Sequence, residues 1–315
     1  MGQLSTKFKF SRLRLRRERT ATANTQSNSE EEGFCLFGGR KFHDLNKDIK
    51  YPYPIDDEET DRLHLQHFWT RYIWQSNFSA PIESLLTHQE PTILDIGCGA
   101  ASWSFEMCTN YPNANIVGLD ITIQQATQIK PSNFTFVKAN VLDGLPFDDN
   151  TFDYVFQRYM FGGYPQEKWP FVISEILRVL KPGGYVELLE PSMMSDIGPA
   201  TQRIVNGQIA AMGHRGTDPD TSKKLKGYLE KQGMVENIIE EVKACYHGER
   251  ATSPGISKAA VSNTVGMFVC WKPLLAGFMN VSDKEYVNLT NEARNELAEY
   301  DSYFNQVRVY GRKIS

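Results

Sequence analysis

The 315-residue chain has few cysteines, and those it has are scattered. Cys35, Cys98, Cys108, Cys245 and Cys270 form no CxxC pair and do not cluster with the six histidines. That argues against a disulfide-stapled scaffold or a Cys/His zinc module and points to a reduced, intracellular protein. No uninterrupted apolar run approaches the roughly 20 residues that cross a bilayer, so the body is expected to be soluble. A basic surplus is missing too. The formal net charge is −4, and residues 1–20 hold seven basic side chains and one acid, +6, leaving −10 on the other 295. An acidic body does not suit a nucleic-acid enzyme, because neutralising phosphates takes a basic face. His64 and His67, three residues apart, have no further ligands near them in sequence, so packing or a substrate role is expected and a metal is not.

What is present is organised around Thr92-Ile93-Leu94-Asp95-Ile96-Gly97-Cys98-Gly99-Ala100-Ala101-Ser102-Trp103. This reads as a buried strand, a glycine turn and the first turn of a helix, with Ser102 as the N-cap. Gly97 and Gly99 let the backbone turn tightly and approach a ligand with no Cβ in the way. In a doubly wound sheet such a turn lies at the carboxyl edge, where nucleotide-like ligands bind. The Asp95 carboxylate would repel a pyrophosphate and attract an amino-acid ammonium, which favours S-adenosylmethionine over a dinucleotide.

Leu94-Asp95-Ile96-Gly97-Cys98-Gly99 resembles motif I of the class I S-adenosylmethionine-dependent methyltransferases. The following unit resembles the family too. A helix over residues 103–110 stops at Tyr111-Pro112-Asn113, and Asn115-Ile116-Val117-Gly118-Leu119-Asp120 is a short apolar strand ending in an acid. Asp120 is placed to accept from both ribose hydroxyls. The motif's third glycine is replaced by Ala101. A strand at 134–139 leads to Asn140-Val141-Leu142-Asp143. The resemblance gives Asn140 the adenine amino group and the Val141 amide the neighbouring ring nitrogen, with Asp143 as fallback. A helix over 169–180, then Lys181-Pro182-Gly183-Gly184, then a strand over 185–190 is the second specific match. The resemblance implies a mostly parallel seven-stranded α/β sheet with an antiparallel strand near the C-terminus and a helical cap. It assigns the cofactor to Asp95, Gly97, Cys98, Gly99, Asp120, Ile121, Asn140, Val141 and Gln157.

Residues 1–50 show no sustained period and read as a disordered polar tail before a domain over 51–315, with its core at 91–191 and cap and last strands at 192–315. Met1-Gly2-Gln3-Leu4-Ser5-Thr6 fits an N-myristoylation pattern, and the basic residues from Lys7 to Arg19 would supply a second membrane signal. A transit peptide, a nuclear signal and an inert extension are the alternatives, with a cytoplasmic body as the default. A helix is expected from Asp57 to about residue 78, its aromatic residues packed into the body or, as the alternative, a lid lined by His67, Tyr72 or Trp74, and another helix near 123–129. Further helices are expected at 201–212, 221–232, 258–275 and 282–300, and strands at 236–246 and 303–310. The segments at 192–228 and 258–280 would cap a substrate cleft.

The lead-in Tyr51-Pro52-Tyr53-Pro54 with Glu59, Arg62-Leu63 and Gln66-His67 is similar to a fungal subgroup that includes velvet-complex regulators of secondary metabolism. So are Phe156-Gln157-Arg158 and Glu187-Leu188-Leu189-Glu190-Pro191. The resemblance therefore implies methyl transfer to a small acceptor, lipidic or a secondary metabolite, with a regulatory protein acting through a protein partner as the alternative. An NAD(P)-dependent oxidoreductase is disfavoured by Asp95 and by the missing third glycine. Methyl transfer needs alignment more than acid–base help. His67, Tyr159 and His214 are the candidate bases. Tyr159, Phe161 and Trp103 are candidate aromatic faces for a sulfonium. Arg158 is expected to pair with an acidic substrate or with Glu190.

Overall fold

A computed structural model describes residues 34–43, 53–124, 129–248, 250, 251 and 253–314. Seven strands form one sheet in the order β5-β4-β3-β6-β7-β9-β8. They are β3 (Thr92–Ile96), β4 (Asn115–Asp120), β5 (Phe134–Lys138), β6 (Phe152–Arg158), β7 (Leu180–Pro191), β8 (Val235–Tyr246) and β9 (Tyr303–Lys313). All run the same way except β9, which lies antiparallel between β7 and β8. This is the expected Rossmann-like α/β sheet. The order steps outward from β3 in both directions, which makes the crevice at the β3 tip the switch point where ligands bind.

The helices follow apolar patterning. Between β6 and β7, α4 (Trp169–Val179) buries Ile173, Ile176 and Leu177 against one face of the sheet. On the other face α3 (Ser102–Asn110) buries Trp103 and Met107 beside α2 (Glu83–His88). Lys181-Pro182-Gly183-Gly184, expected to be a turn, forms an irregularity inside β7. The ladder steps from Phe152↔Leu180 straight to Tyr154↔Tyr185, so the proline and glycines bulge out of it. α6 (Leu225–Gln232) ends at Gly233 in the left-handed region, the usual glycine stop.

A second apolar cluster makes the cap from α5 (Pro199–His214), α7 (Pro254–Phe278) and α8 (Asp283–Glu299). Ser282 caps α8 by accepting from the Glu285 amide. α1 (Asp57–Trp74), capped by Asp56, crosses between cap and sheet.

Three expectations change. The tail does not run unbroken to residue 50, because β1 (Phe34–Phe37) and β2 (Arg40–His43) pair as a hairpin. Arg40 joins it to the body through Asp56 and the Cys270 thiol, and Phe42 is buried. Four-residue strands, one of them wholly apolar, leave too little periodicity to read. Ser102 does not cap α3. Ala101 holds that position in the left-handed region, and the Ser102 hydroxyl meets His64 Nδ1 at 2.7 Å instead. The chain at 123–124 and 129–130 is not helical, and residues 125–128 of the expected helix lie outside the described residues, as do Gly2 and the basic residues 7–19. Among the described residues no helix is long and apolar enough to cross a membrane.

Candidate active site

A cavity of about 330 Å³ opens at the carboxyl tips of β3, β4, β5 and β6. The β3–α3 loop makes its floor. Gly97, Gly99 and Ala101 all have positive φ there, at 69°, 50° and 57°, and the Gly97 and Cys98 amides donate to the Leu119 carbonyl. A side chain at Gly97 would meet only the flexible end of Met160, so it is the positive φ that calls for glycine here.

Asp120 stands at the tip of β4 beside this loop. Oδ2 accepts from the Gly99 amide at 2.9 Å and Oδ1 from the Thr122 amide at 3.0 Å. Burial pushes its carboxyl upward, and these amide bonds oppose that. The Thr122 hydroxyl also donates to Oδ1 at 3.2 Å, so Oδ2 keeps a free lone pair for a diol and Oδ1 offers one where that hydroxyl turns away. Ile121, Cys98, Asn140 and Val141 also line the cavity. Asn140 Oδ1 accepts from the Leu142 amide, which fixes the side chain across the short turn at Val141–Asp143. Asp143, the fallback, is exposed and off the wall.

Asp95 and Gln157 are placed differently. Asp95 is 2% exposed and off the cavity wall, with the Ser104 hydroxyl donating to it at 2.6 Å. The direct grip on an ammonium expected from sequence is therefore corrected, because this carboxylate faces α3 and acts on the cavity only through its field. Gln157 is buried below the tip of β6, where it accepts from Tyr164 while its Nε2 has no partner among the described residues.

Burial pushes the Asp95 carboxyl up to about 6, with Ser104 and the Arg158 charge opposing the shift. In the unfolded chain its value is about 3.9. The unfolded state therefore ionises first, and the stability associated with this group, complete below about pH 4, is lost as pH rises through about 6. Asp95→Asn should then gain on the parent by about 1 kcal/mol between pH 5 and pH 7.5. Urea midpoints at the two pH values read this, and equal slopes for both proteins would refute it.

The candidate bases fare poorly. His67 is 1% exposed and lines neither cavity. Its Nε2 meets Glu106 at 2.8 Å and its Nδ1 meets Arg158 at 3.3 Å. Burial and the Arg158 charge push it down to about 2, so it is neutral at ordinary pH with both nitrogens engaged. The Tyr159 hydroxyl is bound to Thr70 at 2.6 Å and Gln306 at 2.8 Å, and burial raises its pKa. His214 is exposed at the end of α5 against Phe278. Trp103 is also corrected. It is buried, stacks on Phe156 at 4.3 Å and donates to the Asn77 carbonyl, off the cavity wall. Of the expected lid residues, Trp74 is buried against Gln306 and Arg308, and Leu63 and Gln66 of the same helix face the cavity instead.

A second cavity of about 100 Å³ lies under the cap and shares Leu63, Gln66 and Tyr159 with the first. Its wall is mostly apolar, with Phe161, Met193, Met212, Met267 and Trp271, and carries Arg62, Gln208 and Asn263 as its main polar groups. Glu190, at the end of β7, pins the segment between the cavities by accepting from the Met160 and Phe161 amides at 2.8 and 3.0 Å. Arg158 makes no ion pair with it, contrary to one of the sequence alternatives.

Comparison with known proteins matches residues 93–184 to the methyltransferase domain family, covering β3 to the bulge of β7. This segment matches a methyltransferase domain. The methyltransferase pytC of Aspergillus terreus is 31% identical over 62% of the chain and 60% of its own length. The secondary metabolism regulator LAE1 of Cochliobolus heterostrophus is 31% identical over 49% of the chain and 50% of its own. The N-methyltransferase tcpN of Claviceps purpurea is 26% identical over 81% and 94%. The chain thus spans only half to three-fifths of the first two relatives. The residues that line the cavity fit S-adenosylmethionine. Asp120 offers a carboxylate to a diol, and Asn140, Val141 and the Gly97–Gly99 turn line the same cavity.

Proposed function

We propose that this protein is an S-adenosylmethionine-dependent methyltransferase whose acceptor is a small, largely apolar molecule bound under the helical cap. The observation that carries this reading is the apolar chamber that shares Leu63, Gln66 and Tyr159 with the cofactor cavity. When bound, the cofactor supplies an electrophilic methyl group on a sulfonium. The chain's own contribution is alignment, which can be worth roughly 7–11 kcal/mol when donor and acceptor are held at near-attack distance. The aromatic ring of Tyr159, on the wall of both chambers, is suitably placed to face the positive sulfur.

Among the described residues lining the acceptor chamber there is no His, Asp, Glu, Lys or Cys. Tyr53 is pushed up to about 12 by burial, and Arg62 is held by Glu59 through bonds of 2.7 and 2.6 Å. An acceptor whose attacking atom already has a free lone pair suits such a wall, because no proton has to be removed by the protein.

Incubation with methyl-labelled S-adenosylmethionine and fractionated cell extract tests the reading. A labelled small molecule should appear, and Met193→Trp, which fills the chamber, should cut its formation at least 10-fold with S-adenosylhomocysteine affinity unchanged. Full labelling by that variant would place the acceptor elsewhere. Cofactor binding without any labelled product would favour the second reading, a regulatory protein acting through a protein partner, which rests on the likeness to a regulator of secondary metabolism.

A further inference from the structure

Arg158 ends β6 and lines the cofactor cavity beside the Gly97 turn, yet no carboxylate lies within ion-pair distance of it among the described residues. Its one hydrogen-bond partner is His67 Nδ1 at 3.3 Å. Asp95 is nearby but faces Ser104, and Glu190 faces the Met160 and Phe161 amides. A half-buried guanidinium that lines a cavity without a counter-charge is left under-compensated until an anion meets it. The sheet order says which anion. Asn140 and Val141 at the β5 end and Asp120 at the β4 tip suit the adenosine half of the ligand, so its amino-acid half falls at the β3 and β6 tips, where Arg158 stands. The only anionic group on that half is the carboxylate.

We propose that Arg158 clamps the cofactor's methionine carboxylate and that His67 and Glu106 hold the guanidinium in place, an inference that rests on the methyltransferase reading above. Arginine only donates, so His67 Nδ1 must accept from it, and the ring proton therefore sits on Nε2 and is donated to Glu106 at 2.8 Å. The imidazole is thus a fixed spacer between a carboxylate on α3 and the guanidinium. Glu106 is itself steadied by Arg71 Nε at 3.2 Å. Arg158 touches the ligand, and His67 is a positioning residue. The ammonium of the ligand, repelled by Arg158, turns toward the field of Asp95.

Calorimetry with three ligands tests this on the full chain. S-Adenosylhomocysteine has the carboxylate, 5′-(3-aminopropylthio)-5′-deoxyadenosine lacks only that group, and 5′-methylthioadenosine lacks the amine as well. The parent protein should bind the first roughly 30-fold more tightly than the second, as expected for a lost charge-assisted hydrogen-bonded contact. Arg158→Met should erase that preference and leave the two truncated ligands within 2-fold of their parent affinities. Arg158→Lys keeps a cation without the planar fork and covers the case in which the methionine variant does not fold; it should lose part of the preference. His67→Phe should reduce the preference, and His67→Gln should restore much of it, because an amide can accept from Arg158 and donate to Glu106. A parent protein indifferent to the carboxylate, or an Arg158 variant that weakens all three ligands alike, overturns the inference. If none of the three binds the parent, the methyltransferase reading falls, and this inference with it.

Discussion

Asp120→Ala should leave no measurable binding of S-adenosylhomocysteine by calorimetry. Both oxygens of Asp120 are held by backbone amides of the loops that flank the cavity, so the carboxylate arrives oriented, with a lone pair free on Oδ2 and one on Oδ1 that a ligand would take over from the Thr122 hydroxyl. Two hydrogen bonds from ribose hydroxyls to a fixed carboxylate, at about 1.5–3 kcal/mol each, correspond to a loss of roughly 10² to 10⁴ in affinity. The same change frees the Gly99 and Thr122 amides, which loosens the glycine turn and adds to the loss. Asp120→Asn separates the two effects. It keeps an acceptor for one amide and should bind more weakly than the parent but more tightly than the alanine variant. Alanine-variant affinity within 10-fold of the parent would remove Asp120 from the ligand's contacts.

The second large effect lies behind the site. Glu187 in the middle of β7 is fully buried. It accepts from the Ser79 amide at 2.9 Å and the Ala80 amide at 2.8 Å, and Arg308 Nε lies 3.3 Å away. Arg308, 1% exposed, also donates to Ser79 Oγ and lies 4.0 Å over the Trp74 ring. Burial pushes the Glu187 carboxyl up while Arg308 pulls it down. Removing either partner leaves the other charge in the core, so Glu187→Ala and Arg308→Ala should each cost about 3–5 kcal/mol in urea unfolding. Glu187→Leu with Arg308→Met should cost much less than the two single losses combined, because both charges go together. Additive costs would show that the pair is not coupled.

The glycine turn, the acid at Asp120 and the helix–glycine–strand passage at 169–190 were legible because each depends on local chain geometry that only a few residue types permit. The sheet order followed from the resemblance those segments carry. What the chain kept hidden is side-chain direction. Asp95 sits on the expected strand, yet its carboxylate turns to Ser104 on the following helix, and a strand position alone does not say which neighbour it meets. Glu187 and Glu190 are three apart on one strand and so face opposite sides of the sheet. One is joined to Arg308 and the other to the loop after β6, which explains two acids in an otherwise apolar strand. Arg158 reads from sequence as a partner either for an acidic substrate or for Glu190. Only the three-dimensional placement of Glu190 leaves it without one. Phe34–His43 was missed because its hold on the body comes from distant Asp56 and Cys270.

Tyr159 has a φ of 57°, a conformation that a bulky residue holds only under constraint, and it is fixed by Thr70 and Gln306. The wall between the two cavities is therefore a stiff one, and on the proposed reading it does not retreat for an oversized acceptor. Selectivity for acceptor shape must come from the opposite side, where methionines with three rotatable bonds each can remould themselves around different ring systems. Evolving a new acceptor preference on this scaffold should thus proceed through Met193, Met212 and Met267, and leave Tyr159 alone.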